Sequence, residues 1–170
     1  MTLSTAAFAM DRVVEEFGVP PTYPSITAAV AAAVDGDRIV IKNRAGNIPW
    51  IEDVTVNKSL DFVSFTNGTP FIVQGLYRIE PAEGRSVSII SMRNLVGNIE
   101  NNNVVAPVQS TQVRIVDCQL EYGSIYFGTP PFRVDVMGCS LSNGGLLIQC
   151  GNVVGNDING AIFPYGGLTV

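Results

Sequence analysis

Arg114, Asp117 and Asp135 have the clearest claim to chemistry in this sequence. Arg114 stands directly before the line "IVDCQLEYGSI" at 115–125, and Asp135 directly before a second copy, "VMGCSLSNGGL", at 136–146. The two therefore occupy one slot in successive repeats, with Asp117 and Glu121 close by in sequence. Two carboxylates about 5–10 Å apart are the equipment of glycoside cleavage. The face formed by Arg114, Asp117 and Asp135 is thus a candidate groove for a polysaccharide lyase or hydrolase. The bland account is a surface ion pair between Arg114 and Asp135, worth at most about 1 kcal/mol. A second class of candidate is aromatic. Tyr122, Tyr126 and the single tryptophan, Trp50, offer a platform for sugar rings, or else shield corners and plug a loop.

What is missing limits the reaction classes. There is no histidine in the 170 residues, which removes the commonest general base and any Ser/His or Cys/His nucleophile. Three cysteines, Cys118, Cys139 and Cys150, match no zinc spacing, and an odd number is a poor disulfide framework. No metal or cofactor is expected. The net charge of −5 argues against nucleic acid as a partner, since phosphate binding needs clustered Lys and Arg. No apolar run approaches the roughly 20 residues of a membrane span.

The elements that must position these residues follow from periodicity. Ile115, Cys118, Leu120, Gly123 and Ile125 align with Val136, Cys139, Leu141, Gly144 and Leu146, and then with Val153, Asn156, Ile158, Gly160 and Ile162. A looser copy runs through Ile89, Met92, Leu95, Gly97 and Ile99. A period of about 20 residues made of short strands and Gly/Asn corners is the mark of a β-solenoid. Stacked coils bury inward side chains that one coil cannot, so equivalent positions form columns. Met92, Cys118, Cys139 and Asn156 are expected to form one inward structural ladder, with the cysteines acting as small buried hydrophobes. The dipeptides Asn67-Gly68, Asn143-Gly144 and Asn159-Gly160 also suit hairpins in an antiparallel sandwich, but the fixed phase of the glycines favours the solenoid.

The N-terminal part reads differently. Leu3, Ala6, Met10, Val13, Val14 and Phe17 recur at three and four, which predicts an amphipathic helix and, with "GVPPTYP", an arm and linker over residues 1–21. The pattern does not fit a secretory signal peptide, because no Lys or Arg precedes the short apolar run. "SITAAVAAAVDGD" predicts a second helix, capped by Ser25 and stopped at Asp35-Gly36. From residue 37 onward only strands are expected.

The segment "YPSITAAVAAAVDGDRIVIKNRAGNIPWIEDVTVNKSLDFVSF" resembles the opening of right-handed parallel β-helix proteins of the pectin-lyase-like superfamily. That opening has a short helix across the first coil and a Gly-Asp step into an Ile/Val strand. An acidic residue before V-x-V and a following Lys complete it, here Glu52, Val54, Val56 and Lys58. The resemblance implies an all-β, right-handed parallel β-helix over residues 22–170 with an N-terminal α-helical cap or arm. The paired Asp and Gly-His-Gly motifs of that superfamily's enzymes are not found, so their catalysis does not carry over. The chain ends "AIFPYGGLTV" inside what would be another coil, which suggests a solenoid open or continuing at that end. These features resemble the shafts of phage fibres and spikes. The resulting expectation is a non-enzymatic structural or adhesive β-helix of a virion or extracellular surface. It would self-associate, for instance as a homotrimer, or join other fibre proteins. A polysaccharide-acting enzyme and a plain carbohydrate-binding module stand as alternatives.

Overall fold

In the computed structural model the described residues are 9–80, 84–101, 111–128, 132–164 and 168–169. Runs such as "VTV" and "TQVRIV" alternate buried and exposed positions, the period-two pattern of a strand with one face on a core. Eight parallel strands stack in one long sheet: Asp11–Val14, Arg38–Ile41, Leu60–Ser64, Ser86–Ile90, Thr111–Val116, Phe132–Met137, Cys150–Val154 and Leu168–Thr169. A second sheet of six strands runs from Trp50–Ile51 through Met92–Asn94 and Gln119–Leu120 to Asp157–Ile158. The third, also six-stranded, runs from Val54–Val56 through Ile125–Phe127 to Ile162–Pro164. From Arg38 on, the chain visits the three sheets in the same order on every turn, and each strand pairs with its equivalents in the coils above and below. The fold is an all-β parallel β-helix, and the antiparallel sandwich is excluded by the parallel pairing of Thr111–Val116 with Phe132–Met137.

Register converts the sequence repeat into columns. Ile39, Phe62, Ile89, Ile115, Val136 and Val153 lie one above another on the inside of the long sheet, all at 6% exposure or less. Each contributes about 1.5–3 kcal/mol of burial. They belong to one interior cluster that runs from Val14 to Val153. The outer face of the same sheet carries two further columns. One is polar: Asp11, Arg38, Asp61, Ser88, Arg114, Asp135 and Asn152. The other begins with Val13, Val40 and Val63 and continues through Ile90, Val116, Met137 and Val154, following the same register.

At the corner between the second and third sheets the backbones of successive coils touch. A Cβ on Gly97 would stand 2.0 Å from the carbonyl oxygen of Gly75, and one on Gly144 would stand 1.7 Å from that of Gly123. Only glycine fits such an approach, which explains why the repeat keeps Gly at one phase.

One α-helix is present among the described residues, α1 (Ile26–Ala32). Its Ile26, Ala29 and Val30 close the interior at one end. Seven residues are too few for a helix to stand alone in water, and the first coil clamps both of its ends. Ser25 accepts from the Ala28 amide, while the Glu52 carboxylate accepts from the amides of Ile26 at 3.0 Å and Thr27 at 2.9 Å. Six residues on, the Lys58 ammonium donates to the carbonyls of Val30, Ala31 and Ala33 at 2.8–3.0 Å.

The amphipathic helix expected before this point is not formed where the chain is described. Asp11–Val14 is a strand, paired in parallel with Arg38–Ile41. Its Val14 enters the core, and the charges of this strand and of the two residues after it meet partners 25 to 28 residues on, in Arg12–Asp37, Arg38–Asp11, Lys42–Glu15 and Arg44–Glu16. Edge pairing and ionic register outweigh the helical spacing of Met10, Val13, Val14 and Phe17. Leu3 and Ala6 of that pattern lie outside the described residues.

Candidate functional site

Arg114 and Asp135 project from the outer face of the long sheet on adjacent strands, opposite one another in register. They form no salt bridge with each other. The Asp135 carboxylate instead accepts from the Asn152 backbone amide at 3.1 Å and its side-chain amide at 2.8 Å, and lies 3.6 Å from Arg133. Asp117 stands elsewhere. At φ 52° it forms the left-handed corner where the chain leaves the long sheet, in the column of Ser91, Gly138 and Gly155. Its backbone amide donates to the carbonyl of Met137 in the next coil. Glu121, on the second sheet's side of the coil, is held by Arg93 at 2.7 Å. The acids that the sequence groups together are thus spread over a face and two corners, each with its own task.

The aromatic candidates also separate. Trp50 is 5% exposed, donates its indole N–H to the Lys42 carbonyl at 3.0 Å and has the Arg44 guanidinium 5.5 Å over its ring. It plugs the first coil. Tyr122 is 60% exposed on the rim of the glycine corner. Tyr126 projects from the third sheet, opposite Glu100 on one side and Leu147 on the other.

The ladder positions come together inside. Register places Met92, Cys118, Cys139 and Asn156 in consecutive coils. The Cys118 amide donates to the Cys139 sulfur at 3.4 Å, and the Cys139 amide to the Asn156 side-chain oxygen at 2.7 Å. Asn156 in turn donates to the Val136 carbonyl at 2.9 Å. The thiols donate to carbonyls of Ile89 and Ile115. Burial pushes the Cys118 thiol well up, which keeps it a protonated donor. Cys150, by contrast, is exposed.

A feature that residue-type reasoning passes over is the groove along the glycine corner. It has a volume of about 500 Å³ and is lined by Ile51, Glu52, Asp53, Gln74, Gly75, Leu76, Val96 and Gly97. The glycine backbone makes its floor. Ile51 and Val96 are exposed on one wall. Along the other, Asp53 accepts from the Leu76 amide. The phase of the glycines was the available signal, but sequence alone does not say that one wall is apolar. Among the described residues no group of three or more acids and cysteines is placed to hold a metal ion. A scan against protein-family models and searches of curated proteins and of solved structures each find no match to this chain.

Proposed function

We propose that this chain is a non-enzymatic structural or adhesive β-helix, serving as part of a virion fibre, spike or decoration or of a comparable extracellular surface. One observation carries the reading: several outward acids are tied into contacts within the solenoid. Asp135 is bound by Asn152 and Arg133, Glu121 by Arg93, Glu52 by the helix amides and Asp35 by Arg85. A general acid and a base need a shared groove, and the chain places Asp117 at the left-handed corner and Asp135 on the face of the long sheet. The likeness of the opening to the pectin-lyase-like superfamily supports a solenoid scaffold and, with its motifs missing, a non-catalytic one. Self-association, or assembly with other fibre proteins, follows from this role.

An adhesive role draws on the glycine-floored groove. Its exposed Ile51 and Val96, with Tyr122 beyond them, suit the apolar face of a neutral glycan, while an acidic polysaccharide meets Glu52 and Asp53. The test is a panel of neutral and acidic polysaccharides assayed for both binding and cleavage. The expected result is no release of reducing or unsaturated ends, with any binding lost in Tyr122→Ala. Cleavage that disappears in Asp135→Asn would replace this reading with the enzymatic one.

A further inference from the structure

We propose that the outer face of the long sheet is an interface between two copies of this chain packed antiparallel about a two-fold axis. The inference deepens the structural reading by naming the partner. The face bears the apolar column that starts at Val13 and ends at Val154. Val63, Ile90, Val116 and Met137 are half-buried, Val154 is 59% exposed, and Val40 is shielded yet lies outside the interior cluster. Among the described residues α1 is the helix that packs with this sheet, and its apolar side belongs to the interior cluster, so no helix or second sheet covers the outer face. The column repeats at the strand spacing of about 4.8 Å over about 29 Å. An occupant that matches such a repeat along its whole length must share it, which a second solenoid does.

The neighbouring polar column decides the orientation. A half-turn about an axis parallel to the strands at Ser88 and Ile90 lays each column on its own inverse. Ile90 then meets Ile90 of the second copy, Val63 meets Val116, and Val40 meets Met137. By the same operation Ser88 meets Ser88, Asp61 meets Arg114, and Arg38 meets Asp135. Both charged pairs are of opposite sign. Asp61 and Arg114, moreover, take part in no salt bridge among the described residues. A side-by-side parallel pair, or a ring about the solenoid axis, would instead bring the polar column against the opposite flank of the stripe. That sets Asp11 toward Glu15 and Arg38 toward Lys42, like charges facing like. Charge complementarity therefore selects the antiparallel dimer over the trimer of a fibre shaft. The paired faces bury on the order of 1,000 Å² in total, the lower bound for a specific interface, so the dimer is expected to dissociate in the micromolar range.

The experiment is sedimentation equilibrium of the full chain in a Cys150→Ser background, with melting curves as a control for folding. The expected result is a monomer–dimer equilibrium. It should weaken about tenfold in Arg114→Asp and recover in the charge swap Asp61→Arg with Arg114→Asp. Val116→Asp should leave a folded monomer. A short thiol cross-linker applied to mixed Val40→Cys and Met137→Cys chains should join one variant to the other. A monomer at millimolar concentration, a trimer, or Val40→Cys joined to itself would each overturn the proposal. The two readings fail separately: polysaccharide cleavage by an intact dimer removes the structural role and keeps the interface, and a non-cleaving monomer does the reverse.

Discussion

Replacing Asp37 by Asn takes a buried carboxylate from three donors. The side chain is fully buried and accepts from the Met10 amide, the Arg12 guanidinium and the Val34 amide, all within 3.0 Å. Burial alone would raise its pKa, but the Val34 amide, Arg12 and the Met10 amide together hold it below the usual carboxylate value. Asp37→Asn is expected to destabilise by about 2–3 kcal/mol, measured by urea unfolding at pH 7. Because the folded pKa is depressed, this contribution is complete above the unfolded value of about 3.9 and is lost as pH falls through the folded one. The wild type should therefore lose more stability than the variant below pH 4. A second expectation concerns the thiols. Cys150 should react with a thiol reagent at once, whereas Cys118 and Cys139, at 0% and 2% exposure, should react about a hundredfold more slowly or only on unfolding. Fast labelling of all three would contradict the inward ladder. That ladder was legible in the sequence because Cys recurs at a fixed offset from Leu and Gly. The separation of Asp117 from Asp135 was not, because it depends on one left-handed residue that turns the chain out of the sheet.

At the scale of elements, the clamp on α1 explains the acid and lysine that flank V-x-V. Lys58→Met removes three charge-assisted bonds to the last carbonyls of the helix and is expected to cost about 1–2 kcal/mol. Glu52→Gln should cost less, since a neutral acceptor remains for one amide. Unfolding midpoints of the two variants check the order. α1 itself could be read from Ser25, the alanine run and Asp35-Gly36. The strand Asp11–Val14 could not: four residues carry too short a pattern to separate period two from period 3.6. Its evidence lies in the partners Arg38, Lys42 and Arg44, each 27 or 28 residues away, and these become visible only once the register is known.

For the whole molecule, the interior cluster runs without a break while most ionic ties sit at the surface. The Arg38–Asp11 pair is 51% exposed on both sides, and such pairs are worth at most about 1 kcal/mol each and are screened by salt. Raising sodium chloride from 0.05 to 1 M should move the urea midpoint of the monomer little, by about 1 kcal/mol or less in stability. A loss of several kcal/mol would mean that charges, rather than stacked aliphatic columns, hold the coils. The overall architecture was readable because a solenoid repeats one structural statement along its length. Its outer faces were readable only where the repeat is regular, as for Arg114 beside Asp135; elsewhere the line-up of outward residues depends on corner lengths that vary from coil to coil.

The closure of α1 by Glu52 and Lys58 also bears on how the chain folds as it leaves the ribosome. Once residues up to about 64 have emerged, the lid, both of its fasteners and the strands Arg38–Ile41 and Leu60–Ser64 are all in hand. All the parts of a base layer are thus synthesised before any later turn, and we expect each new turn to use it as a template.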